Sequence, residues 1–240
     1  MPFFGSSGGG AAASPEESVY GRSVYGIGTS TPSITVSDYS SGTASSVTFG
    51  SGKALIAPEA TLGQQTRTFT TGVIKFTPFY FHKTTTINKF SIFTGTAPAA
   101  QRLVHCGFYS SNSNGLPETF VTGSEQEFTV GTGIGNNRAF VKSYGTPISI
   151  SKGIVWHYSW TDGNVDLYET GTTVRLGSLI NLFGWPAVIP NVHSLNYTKT
   201  YSATPVSSLV QSFGAGSTQD TFFYSSNAPP SHFVGLEVDP

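Results

Sequence analysis

Few residues in this sequence are spaced for chemistry. The thirteen acidic side chains are scattered. Glu125 and Glu127 stand at the start of a strand with no third partner nearby. Carboxylate pairs that hydrolyse glycosides face each other about 5 to 10 Å apart across a cleft, whereas solvated edge charges are the plainer reading of such a pair. The five histidines are His82, His105, His157, His193 and His232, and none has metal-ligand spacing with another. His105 and His157 alternate within strands and read as packed or edge residues. No serine sits in a Gly-x-Ser-x-Gly elbow, and Gly131-Thr132-Gly133-Ile134-Gly135 lacks the strand-to-helix setting of a nucleotide loop. It reads as a flexible hairpin connection.

Asp162, Asn164 and Asp166 occupy alternate positions of a calcium loop, with Glu169 beyond. Leu167 stands where that loop needs glycine, and no helices flank it, so an Asp-Gly hairpin turn is expected instead. The sequon Asn196-Tyr197-Thr198 has no meaning without a secretory route. These readings leave no catalytic residue, no metal site and no cofactor. Aromatic residues, 13% of the chain, are the remaining handle. An exposed ring beside Asp or Asn can stack on the apolar face of a sugar while the polar groups bond its hydroxyls. Trp160, Asp162, Asn164, Tyr168 and Trp185 are the candidate glycan-binding residues on this ground, against core or subunit-interface packing of the rings.

The elements that would position these groups are strands. Leu103, His105, Gly107 and Tyr109 face opposite to Val104, Cys106 and Phe108. Ile154, Trp156, Tyr158 and Trp160 face opposite to Val155, His157 and Ser159. A period of two is what a half-buried strand needs, and it predicts burial of Trp156. Val73–Phe81 and Thr86–Phe93 form two more strands, with Lys75 and Lys89 facing solvent and Pro78 marking an edge or a bulge. Ala54–Ile56, Leu167-Tyr168, Val174–Leu176, Ser194–Ser202 and Phe233–Val238 complete the strands. Ser178–Leu182 reads as one helical turn, and Val206–Ser212 as strand or helical turn. No amphipathic helix exceeds two turns, so the fold class is all-β, a two-sheet jelly-roll β-sandwich.

At 240 residues, residues 51–240 suffice for one such domain. A net charge of −1 gives no field to recruit nucleic acid or an anionic membrane, and no apolar run reaches the roughly 20 residues of a membrane helix. The single Cys106 excludes an internal disulfide and a thiolate zinc site, and reads as a small core residue. Charged residues are 10% of the chain, against about 25% in ordinary soluble domains. Such a surface is covered by small polar residues or by other subunits.

Residues 1–50 differ in kind, because 26 of them are Gly, Ser or Thr, and between Arg22 and Lys53 the only charge is Asp38. Alone, such a segment cannot offset its ordering entropy. It reads as an extended assembly arm that docks on other chains through Phe3, Phe4, Tyr20, Tyr25 and Tyr39, the doublet Ser18–Gly21 and Ser23–Gly26 supplying two of these anchors. Met1 to Phe4 has neither the basic nor the apolar region of a secretory signal, which predicts synthesis in a cytoplasm.

Gly107-Phe108-Tyr109-Ser110, then Gly115-Leu116-Pro117, Phe120-Val121 and later Ile148–Trp156 (ISISKGIVW) resemble a jelly-roll module of bacteriophage tail fibres and other virion appendages. Phe183-Gly184-Trp185 and Tyr201–Pro205 are similar to the pieces that follow in that module, so the resemblance runs from about Ala54 to Val238. It implies a non-enzymatic virion structural protein, assembled in the host cytoplasm with other virion proteins and copies of itself. One role is a fibre or appendage subunit with host surface glycan as its ligand. The other is a capsid decoration or cement protein. Neither involves nucleic acid or membrane.

Overall fold

A computed structural model describes residues 22–25, 33–37, 44–48, 54–58, 66–81, 83–168, 194–225 and 234–239. Phe3, Phe4, Tyr20, Tyr39, His82, Glu169, Trp185, His193 and His232 lie outside them, as do the Val174–Leu176 strand and the Ser178–Leu182 turn. All regular structure among the described residues is strand. The first strands are β1 (Arg22–Tyr25), β2 (Ser33–Ser37), β3 (Ala44–Thr48), β4 (Ala54–Pro58) and β5 (Thr66–Phe69). The long strands are β6 (Val73–Phe81), β7 (Thr85–Thr94), β8 (Arg102–Ser111), β11 (Arg138–Ile150) and β12 (Gly153–Thr161), with the short β9 (Pro117–Phe120) and β10 (Gln126–Val130) among them. The last are β13 (Val165–Tyr168), β14 (Ser194–Thr198), β15 (Thr221–Ser225) and β16 (Val234–Val238).

The chain is a β-sandwich of two antiparallel sheets. The first runs β1-β4-β16-β7-β13-β5, with β11 also on β7. The second runs β10-β8-β12-β6-β14-β15, with β9 beside the end of β8. Strands β2 and β3 pair with each other. The first sheet takes in Arg22–Tyr25, which the sequence reading assigned to the arm: β1 lies antiparallel to β4 from Arg22↔Pro58 to Tyr25↔Leu55.

Alternation along β6, β8 and β12 sends two sets of side chains to opposite faces, and both faces are buried. Phe79, Phe81, Val104, Cys106, Phe108 and Val155 meet Phe90, Ile92 and Leu236 of the first sheet in the inner core. On the outer face, Ile74, Phe76, Tyr109, Trp156, Tyr158 and Trp160 form a second core with Leu116, Leu195, Tyr197, Leu209 and Phe222. The strands are therefore not half-buried as the period of two suggested. The irregular chain after β14 returns over the outer face: Leu209 N–H donates to the Glu118 carbonyl and Phe120 N–H to the Ser207 carbonyl. Val206–Ser212 is thus a bonded loop with one bridge, Ser208 to Thr119, rather than a strand or helical turn.

The turn between β8 and β9 is fixed from three sides. Asn112 Oδ1 accepts the amides of Asn114 and Leu116 at 2.9 and 3.0 Å. Gly115 takes φ +79°, a backbone region that other residues enter at a cost. Its carbonyl accepts the Trp156 indole N–H at 2.9 Å. Tyr109 donates its hydroxyl to the Val206 carbonyl at 2.6 Å, which ties the covering loop to the sheet.

Two lysines depart from the expected solvent face. Lys75 is buried, its Nζ 4.1 Å above the Phe69 ring, because odd positions of β6 face the inner core. Lys89 is half-buried and pairs with the buried Glu237 at 2.9 Å. Pro78 sits opposite Trp156 of β12, while β14 pairs β6 only over Val73–Phe76, so among the described strands no ladder on that second side needs a proline N–H. Gly131–Gly135 is a crossover from β10 in the second sheet to β11 in the first, not a hairpin.

Candidate functional site

At the edge of the second sheet the β8–β10 register sets Glu127 opposite His105 and Gln126 opposite Cys106. Glu125 ends the turn just before. The result is a cluster around an imidazole only 2% exposed. His105 Nδ1 lies 2.7 Å from Glu125 Oε1, and Nε2 lies 2.6 Å from the Tyr201 hydroxyl and 3.6 Å from Glu127 Oε2. The two short contacts hold the ring from both nitrogens, Nδ1 against the Glu125 carboxylate and Nε2 against the Tyr201 hydroxyl. Burial, then the carboxylates of Asp162, Glu127 and Glu125, push the Tyr201 phenol up to about 12. It keeps its proton at neutral pH. A phenol so disposed is a donor and a poor nucleophile.

The other buried hydroxyls and the thiol are likewise held in their neutral forms. Desolvation raises Tyr109, Tyr144, Tyr158 and Cys106, with the Glu125 charge adding to the effect on Tyr109, Tyr158 and Cys106. The Tyr158 ring leans over Gly107, where a Cβ would stand 2.9 Å from Tyr158 Cε1 and 3.0 Å from the Ser124 carbonyl oxygen. Only glycine at position 107 admits both neighbours.

Glu125 also lines an open groove of about 570 Å³. One wall is the turn Thr122–Gln126, and the other is the segment Tyr144–Ser149 of β11. That segment projects because the β11–β7 ladder loses register between Ser143 and Ile148. Tyr144 points back into the molecule and donates to the Ser124 carbonyl at 2.8 Å, joining the walls at the base.

The residues singled out for sugar stacking fall elsewhere. Trp160 is in β12, 1% exposed, with its ring edge-on to Tyr201 at 5.2 Å. Tyr168 is in β13, 3% exposed, and donates to Asn137 Oδ1. Neither ring offers a face to solvent, since both lie within strands rather than on loops. Asp162 Oδ1 accepts the Leu103 amide at 2.9 Å, and Asn164 is exposed. The Thr161–Asn164 turn carries the chain from the second sheet to the first, so it is not a hairpin and it separates Trp160 from Tyr168. Of the calcium-loop residues, Asp166 accepts the Thr68 hydroxyl while Asp162 faces Leu103, and the two carboxylates do not converge. Sequence reasoning missed the His105 cluster, although strand register alone could have set Glu127 opposite His105. Tyr201, 96 residues further on, left no such signal. Comparison with known protein families, curated proteins and solved structures finds no match to the chain.

Proposed function

We propose that the chain is a non-enzymatic structural subunit of a bacteriophage tail fibre or similar virion appendage, attached through its N-terminal segment to other virion proteins or to copies of itself. The reading rests on the resemblance, and one observation supports it: the separated pieces that carry it meet in a single unit. Gly115 of the turn is held by Trp156 of β12, and Tyr109 of β8 holds the loop that covers both. Spacings that look arbitrary in sequence thus have one packing cause. The His105 cluster, with its phenol fully protonated at neutral pH, supplies no activated nucleophile.

Mass spectrometry and immunogold labelling of purified particles test the reading, together with a chain lacking residues 1–21, which retains every described strand. The full chain should be found on the appendage, and the shortened one should fold with an unchanged thermal midpoint yet fail to incorporate. Absence from particles, or normal incorporation of the shortened chain, contradicts the proposal. Label on the shell would favour the decoration role instead.

A further inference from the structure

We propose that the groove between the Thr122–Gln126 turn and the Tyr144–Ser149 segment binds a neutral saccharide, with Glu125 as the carboxylate that accepts its hydroxyls. The inference deepens the appendage reading and rests on it only for the source of the ligand, a host-surface glycan.

Size and lining set the ligand class. About 570 Å³ lies within the range of small-molecule sites and accommodates a sugar ring or two. Thr122, Thr146 and Ser149 bring hydroxyls, Gln126 brings an amide, and Glu125 is the only Asp, Glu, Lys, Arg or His among the described lining residues. Hydroxyls and amides both donate and accept, which suits a polyol. With a carboxylate in the wall and no Lys, Arg or His among the described lining residues, a phosphate, sulfate or uronate is disfavoured. A divalent cation is no better served, since among the described residues no three His, Cys, Asp or Glu side chains converge to hold one.

Glu125 is oriented before any ligand arrives. Its Oε1 is fixed by buried His105 at 2.7 Å, and His105 is fixed from its other nitrogen by Tyr201. At 29% exposed, the carboxylate still reaches the groove, and its remaining lone pairs can take hydroxyl protons in charge-assisted bonds. Orientation secured in advance lowers the ordering cost of binding. Pro147, exposed beside it, offers an apolar ring edge to the C–H side of a sugar.

Gly145 gives the cleanest probe, because a Cβ there meets nothing within 4 Å. Gly145→Trp should place its ring in the groove without disturbing the fold. The full chain and its variants would be titrated calorimetrically against neutral oligosaccharides built on glucose, galactose, mannose and N-acetylglucosamine, and against sialylated, uronate and sulfated ones. At least one neutral saccharide should bind, with affinity about tenfold or more weaker in Gly145→Trp and in Glu125→Gln. Gln126→Ala and Thr146→Val, neither of them buried, should weaken it less. These two decide the matter should the first variants not fold. The proposal is overturned if no neutral saccharide binds, if acidic saccharides bind as tightly, or if binding is unchanged in the groove variants. Presence in particles is a separate readout: a chain that binds sugar but is missing from virions sinks the appendage reading alone, and one found on virions that binds no neutral sugar sinks this inference alone.

Discussion

The two faces of the second sheet are both buried, yet they are built from different side chains. The inner face meets another sheet, whose backbone groups are already paired in ladders, and its core is mostly Phe, Ile, Leu and Val. The outer face meets irregular chain, and there Tyr109, Trp156, Tyr158, Trp160 and Tyr197 outnumber Phe76 and Phe222 among the large residues. The difference follows from what the cover lacks. An irregular segment brings backbone donors and acceptors with no ladder to satisfy them, and leaving such groups buried and unmet costs about 1 to 3 kcal/mol each. A ring with a polar tip buries apolar area and supplies the missing partner together. Three of the five tips do this: Tyr109 serves the Val206 carbonyl, Trp156 the Gly115 carbonyl, and Tyr197 accepts the Val210 amide at 3.2 Å. The Tyr158 hydroxyl and the Trp160 indole N–H meet no hydrogen-bond partner among the described residues and contribute by packing.

Truncation should hurt both faces severely, which is the first way to break the contrast. Phe108→Ala on the inner face and Trp156→Ala on the outer should each cost about 3 to 5 kcal/mol in chemical denaturation. A loss below about 1 kcal/mol at Trp156 would mean that the outer face is no core. The next largest effect is steric and local to the outer face. Gly107→Ala drives a methyl against Tyr158 and the Ser124 carbonyl and should cost about 1 to 3 kcal/mol, read from the same unfolding curves.

Polar tips sharpen the contrast. Tyr109→Phe keeps the ring and strands the Val206 carbonyl, so it should cost about 1 kcal/mol. A Tyr109→Phe chain as stable as the parent would show that the tip does not hold the cover. The smallest effect expected is in alkali. The Tyr201 phenol titrates near 12 in the fold against an ordinary value of 10. Its contribution is complete below pH 10 and is lost as pH rises through 12. Tyr201→Phe should flatten this part of the stability–pH curve, modestly because the side chain is partly solvated; a curve of unchanged slope would contradict the assignment.

Much of the fold was legible in the sequence because alternation in β8 and β12 is strict, and it gave both the strand character and the burial of Trp156. The double burial was not legible. Period two sorts side chains into two faces without saying what covers each, and the cover, Tyr201–Phe213, mixes apolar residues such as Val206, Leu209 and Phe213 with Ser and Thr in no regular period. Nearness to a turn in sequence also suggested exposure of Trp160 and Tyr168: Trp160 is instead buried against Tyr201 of the cover, and Tyr168 lies buried in the first sheet with its hydroxyl on Asn137. Lys75 went wrong for the converse reason, since its charge suggested solvent although its parity put it inward over Phe69. In the His105 cluster, Glu127 was within reach of a register argument for β8 and β10, whereas Tyr201 arrives by a long return of the chain that no local pattern records.

Amide hydrogen exchange across the second sheet measures most directly whether the outer face is a closed core. The amides of Phe120, Leu209 and Val210, bonded to or through the covering segment, should be protected and should open with the β8–β12 ladder on denaturant titration. Exchange of those three at the rate of unstructured chain while the ladder stays protected would leave the outer aromatics as an open face and contradict the account.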